Sequence, residues 1–186
     1  RDGVFGRVPV VFCGLNWITP GKLLGIRRVT GVNETTDISL NLYLMMKIHP
    51  QVKRIYVVID STPTGISVYN KLIEIMPQYT EKIDIIPLYD LEMKALMEQV
   101  SIMGNDSLVL LTVFSKDSTG RFFEYDEYSA VISKKSSVPV YGLWDFYLGH
   151  GILGGNLAAG YSQVITAGNI ALRVLKGEDA ESIPVV

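Results

Sequence analysis

Cysteine and histidine are nearly missing from this 186-residue chain: it has one cysteine, Cys13, and two histidines, His49 and His150. A single thiol excludes an intrachain disulfide, and so few soft ligands give no metal-binding spacing, so no metal is expected. Cys13 ends the apolar run Pro9–Cys13 without a basic neighbour, which predicts a small core hydrophobe rather than a reactive thiol. No apolar stretch approaches the roughly 20 residues that cross a bilayer. Neither an initiating methionine nor a signal peptide opens the chain, which reads as a segment of a longer protein whose membrane anchor lies elsewhere. Lys and Arg form no runs and the net charge is −2, which argues against nucleic acid as a partner. Charged residues make up only 19% against 48% hydrophobic, the balance of a packed globule and not of a disordered chain. Internal repeats and low-complexity segments are absent.

What is present is an alternation. Apolar runs rich in Val and Ile occupy Val8–Cys13, Arg54–Ile59, Ile83–Leu88, Leu108–Phe114 and Val138–Leu143. Each is too short for a helix and continuous rather than alternating, as expected of parallel strands covered on both faces. Helical patterns lie between them. One, capped by Thr36-Asp37, runs to about Ile48. A second opens at Thr64-Gly65 and closes at Pro77, and a third is capped by Asp90. A fourth spans about Tyr125–Lys135. The last spans Gly160–Lys176, with Tyr161, Val164, Ile165, Gly168, Ala171, Leu172 and Leu175 as its apolar stripe. His49 and the methionine stripes of the first and third helices need no role beyond capping and core. Glu124, Asp126 and Glu127 fit a solvated first helical turn. The prediction is an α/β fold, a Rossmann-like parallel sheet with helices on both faces. Two glycine-rich passages, 14–34 and 146–160, break the rhythm and read as crossings between lobes.

Ligands of open parallel sheets gather outside the C-terminal strand ends. Here those ends carry Asn16 and Trp17; Asp60, Ser61, Thr62, Thr64 and Gly65; Ser115, Lys116 and Asp117; and Trp144, Asp145 and Phe146. Hydroxyls, amides and aromatic faces suit a pocket that binds a small molecule. The hydroxyl-rich loop at a helix start favours a carboxylate. The aromatics favour a flat or apolar group. No catalytic residue or cofactor is expected. Asp60 lacks the further carboxylates of a phosphoryl-aspartate site, and neither Ser61 nor Ser67 sits in a G-x-S-x-G turn. Gly149-His150-Gly151-Ile152-Leu153-Gly154 matches G-x-G-x-x-G in letters only. It does not follow its strand directly, and no βαβ unit continues from it.

Three stretches together carry a family resemblance: Val8–Gly14, Ser61–Gly65 and Trp144–Gly155. Ala171–Glu178 and Ile183–Val186 extend it over essentially the whole chain. The chain resembles the ABC-transporter substrate-binding-like family of the type I periplasmic-binding-protein fold. More narrowly, it resembles those copies that serve as extracytoplasmic sensor domains of bacterial histidine kinases. The resemblance implies two Rossmann-like lobes that close on a small ligand. Residues 1–34 and 146–178 would form a partial, truncated first lobe, and 35–145 with 179–186 the second. It also implies an extracytoplasmic location, a membrane-anchored parent, and a homodimer to cover surfaces left open by the truncation. The implied function is signalling by lobe closure. The alternative is the solute-binding component of an ABC transporter. From other classes, the alternatives are a flavodoxin-like or nucleotide-binding enzyme and a purely structural dimerisation module.

Overall fold

The computed structural model describes residues 8–16, 25–34 and 36–186. Its elements in chain order are β1 Val10–Asn16, β2 Val29–Glu34, α1 Ile38–Ile48, β3 Arg54–Ile59, α2 Pro63–Ile75, β4 Asp84–Tyr89, α3 Met93–Ser101, β5 Ser107–Val113, α4 Tyr125–Lys135, β6 Val140–Gly142 and α5 Gly160–Leu175. By contact they form two compact units, Arg1–Thr35 with Ala159–Val186, and Thr36–Ala158.

The larger unit is a four-stranded sheet in the order β4-β3-β5-β6, parallel throughout. The continuous apolar runs explain this arrangement. All of β5 is buried, and Ile55, Val57, Leu110 and Leu111 have no exposed surface, so both faces of the sheet need cover. Each such side chain contributes about 1.5–3 kcal/mol by leaving water. Val68, Leu72 and Ile75 turn one stripe of α2 onto the sheet, while α3 and α4 pack together. Right-handed crossovers put α2 on one face and the α3–α4 pair on the other. Pro87 sits within β4, where the edge position tolerates a strand residue without an N–H.

The smaller unit pairs β1 with β2 in parallel and covers them with α5. β2 lies inside the stretch expected to be linker. Its Gly31 is required by contact, since a Cβ there would stand 2.2 Å from the Phe12 carbonyl oxygen. The chain's last residues lie along β2: Val186 N–H donates to Gly31 O at 3.1 Å, Asn33 N–H to Val186 O at 2.6 Å, and Thr30 Oγ1 to Ile183 O at 2.9 Å. Residues 183–186 therefore belong with β2, although the sequence placed 179–186 in the second lobe. Residues 146–158 also depart from their expected lobe. Leu153 N–H donates to Val140 O and Gly142 N–H to Gly154 O, so the glycine passage runs beside β6 as extra sheet edge and not as a crossing. Gly155 permits that approach, because a Cβ would meet Gly142 O at 2.3 Å.

Two expected burials are reversed. Cys13 is exposed on β1. The stripe of α5 expected to face a core lies in solvent, with Tyr161 78%, Val164 61%, Leu172 54% and Leu175 82% exposed. The packed stripe is Ala167, Ile170 and Val174, against Val32, Ile183 and Val11. Alanine at the contact lets the helix approach a surface only two strands wide.

Candidate functional site

Strand β3 sends its crossover to β4 on one side, and the chain returns to β5 on the other, so the strand order reverses between β3 and β5. At such a point the two outgoing loops diverge and leave a crevice. Asp60 sits there, wholly buried. One carboxylate oxygen accepts from Thr62 N–H at 3.0 Å and from the Thr62 hydroxyl at 2.5 Å. The other accepts from Ser115 N–H at 2.8 Å and Lys116 N–H at 3.3 Å. Asp60 thus fastens the loop after β3 to the loop after β5. Thr62 also caps α2, accepting from Gly65 N–H at 3.2 Å. Gly65 is fixed by packing, for a Cβ would lie 2.1 Å from Asp60 O.

Asp117, also buried, organises the next layer. One oxygen accepts from Thr119 N–H (3.0 Å), the Thr119 hydroxyl (2.6 Å) and Arg121 N–H (3.1 Å). The other accepts from Met93 N–H at 3.3 Å, at the start of α3. Burial pushes its pKa up, but the hydrogen bonds from Thr119, Met93 and Arg121 together outweigh burial and leave the carboxyl below its usual range. Ser118 N–H donates to Leu91 O at 3.2 Å. The loop after β5 therefore spans the tip of β3 and reaches the β4–α3 connection, closing over Asp60.

At the β6 end lies an aromatic group. Trp144 is buried and stacks on Phe146, with centroids 5.9 Å apart and planes 13° apart. Phe146 and Tyr125, 4.9 Å apart, remain partly open at 39% and 47% exposure. Beneath them Tyr147 donates to Thr112 O at 2.5 Å, which leaves Tyr128 to donate to the Tyr147 hydroxyl. Burial pushes the Tyr128 phenol up to about 12 and Tyr147 well above its ordinary value.

The residues proposed from sequence thus divide. Asp60, Asp117, Gly65 and Trp144 are buried framework, and Thr62 is spent on capping. Ser61, Thr64, Ser115, Lys116, Asp145 and Phe146 remain at least partly accessible along the same sheet edge. No described residue engages the side-chain hydroxyls of Ser61, Thr64 and Ser115 or the Lys116 ammonium. Asn16 ends β1 in the other unit, where its Oδ1 is buried with no partner among the described residues. Trp17 lies outside the described residues. The sequence reading missed Tyr125 and Asp90. Asp90 was expected to cap α3, but the helix starts after Glu92 without a side-chain cap, and Asp117 meets its first N–H instead. Within the G-x-G-x-x-G spacing, Gly151 serves packing: it leaves room for Ser133, whose Cβ would be 2.6 Å from an added Cβ.

A cavity of about 440 Å³ in the smaller unit is bordered by Arg27, Arg28, Glu178, Asp179 and Glu181. Its acids are committed internally: Glu178 to Arg173 at 2.5 and 2.7 Å, Glu181 to Arg28 N–H at 3.0 Å, and Asp179 to Glu181 N–H at 3.1 Å. This is the geometry of a braced turn. Among the described residues, no group of three or more His, Cys, Asp or Glu could hold a metal ion.

Residues 5–186 match a family model described as ABC transporter substrate binding protein. Among solved structures, the chain resembles a ligand-free, open substrate-binding protein with adhesive properties from Clostridium difficile. The identity is 14% and the TM-score 0.66, over 97% of this chain and 61% of that one. It also resembles a conserved domain protein from Vibrio cholerae O1 biovar eltor str. N16961, at 17% identity and TM-score 0.61, over 85% of this chain and 52% of that one. The chain spans between half and three-fifths of the length of these structures, and at such identities the likeness is one of fold. No match was found among curated proteins.

Proposed function

Because the chain belongs to the ABC transporter substrate-binding protein family, we propose that it binds a small solute at the C-terminal edge of the Thr36–Ala158 sheet and acts as the solute-binding component of an importer outside the cytoplasm. The observation that carries this reading is the Asp60 brace. A buried carboxylate joins the two loops that diverge at the switch point, while unpaired hydroxyls, an ammonium and partly open aromatic rings line the same edge. The edge offers hydrogen-bonding, charged and aromatic groups, which suits recognition of a solute. The Thr36–Ala158 unit is taken as one lobe and the β1–β2–α5 unit as part of the other.

The sensor-domain role expected from sequence is a narrower form of the same activity, and the family description favours the transporter role. No described helix is long and apolar enough to cross a membrane. The two roles separate in the full-length protein: co-purification with a permease supports import, whereas a following membrane span and kinase region supports sensing.

The binding reading is tested by thermal-shift screening of small solutes. A true ligand raises the melting temperature in step with ln(1 + [L]/Kd). Failure of every solute to stabilise the protein, or tight retention of FMN or NAD after purification, would overturn it.

A further inference from the structure

Asp90 has a place in the fold that its local duties do not explain. It directly follows β4, opposite Asp60 across one strand spacing, and its N–H donates to Ile59 O at 2.9 Å. Its φ is +51°, in the left-handed region, where of non-glycine residues only Asn and Asp settle with any ease. A strained residue persists when surrounding structure holds it, and such residues concentrate where ligands bind. The helix-capping duty that would repay an aspartate here is taken by Asp117, which receives Met93 N–H.

The carboxylate is consequently unspent. Its Oδ1 is buried without a hydrogen-bond partner. The ion pairs formed among the described residues are Arg54–Asp106, Lys71–Glu74 and Arg173–Glu178, none of them involving Asp90. A buried acceptor left unpaired costs stability, and a charged one costs more. A carboxylate oxygen left without a donor suits a cationic nitrogen, which brings both charge and N–H groups.

We infer that Asp90 is the specificity residue of the solute site and pairs with a cationic nitrogen, an ammonium or guanidinium, on the bound solute. This rests on the binding reading above and narrows it to a solute class. Strands stand about 4.8 Å apart, so a solute held at Asp90 also reaches the loop edges at Ser61 and Thr64. Its charge is matched at one end and hydrogen-bonded at the other.

The experiment pairs probes that differ only at the nitrogen. Phenethylamine, putrescine, agmatine and the common amino acids are each screened by thermal shift beside the corresponding hydroxyl compound. The best amine is then titrated calorimetrically into wild-type protein, Asp90→Asn and Asp90→Gly. Asn keeps the side chain's shape and the left-handed φ without the charge; Gly relaxes the backbone as well. The expected result is that amines bind and their hydroxyl counterparts do not. Both variants should bind the amine roughly ten- to hundredfold more weakly, while their unliganded melting temperatures stay level or rise. Equal affinity in wild type and Asp90→Asn means that a water satisfies Oδ1, and overturns the inference while leaving solute binding intact. A preference for the hydroxyl compounds, or a marked loss of unliganded stability in both variants, overturns it too. Binding of no probe by wild type overturns it together with the proposed function.

Discussion

Replacing Asp60 separates a brace from a ligand contact. In Asp60→Ala the N–H groups of Thr62, Ser115 and Lys116 lose their acceptor, a carboxylate with no exposed surface. Each orphaned amide costs about 1–3 kcal/mol. Local relaxation and an entering water recover part of the sum, so a net loss of about 4 kcal/mol is expected. Asp60→Asn is gentler. With its carbonyl toward Ser115 and Lys116, the new amide faces Thr62, whose hydroxyl can turn to accept from it. Only Thr62 N–H is then stranded, at about 2 kcal/mol. With a urea slope of about 2 kcal/mol/M, the unfolding midpoint should fall by about 2 M for Ala and about 1 M for Asn, followed by circular dichroism. Hydrogen exchange should speed up first at Ser115 and Lys116, the amides Asp60 holds. The reasoning fails if Asp60→Asn unfolds at the wild-type urea concentration yet no longer binds solute. That result would make Asp60 a ligand contact.

Other expectations follow from the same structure. The native pKa of Asp117 is depressed below its unfolded value of about 3.9, so the stability it lends is complete above that value and lost as pH falls through the native pKa. Urea midpoints measured between pH 5 and pH 2.5 should drop more steeply in wild type than in Asp117→Asn, and parallel slopes would refute this. Tyr128 and Tyr147, raised above the usual phenol value of about 10, lend stability that declines as pH climbs through 10 toward 12. In an absorbance titration they should ionise above pH 10, and Tyr147→Phe should cost about 1–2 kcal/mol by stranding Thr112 O. On α5, Ile170→Ala should cost about 2–4 kcal/mol, whereas Leu175→Ser, at a residue 82% exposed, should stay within about 0.5 kcal/mol. Comparable losses at the two positions would show that another surface covers the outer stripe.

The sheet of the larger unit was legible because its signals are local. Arg54–Ile59 and Tyr125–Lys135 fall where their patterns place them, and Asp37, accepting from Leu40 N–H at 2.8 Å, caps α1 as its position before the apolar stripe implies. Signals that depend on distant chain were not legible. β2 carries a glycine in its centre and reads as loop, and only the approach of Phe12 explains why Gly31 belongs in a strand. In α5 two apolar stripes compete. Periodicity identifies stripes but does not choose between them, and here the narrower one, with Ala167, takes the two-stranded surface.

The candidate site follows the same rule. That the strand tips carry the polar groups could be read directly from the sequence, but which groups remain available could not, because an acceptor's partners come from other loops. Asp60 and Asp117 look like binding residues in sequence and are consumed by backbone amides in the fold. Asp90 looks like an ordinary helix cap, and it loses that duty only because Asp117, 24 residues further on for its bonded Met93, arrives at the same helix start. One carboxylate displaces another from capping, and Oδ1 of the displaced one is left buried without a partner. Availability for a ligand is thus settled by competition among the protein's own acceptors for a limited set of amides. The aspartates best placed to bind a solute are those that lose that competition.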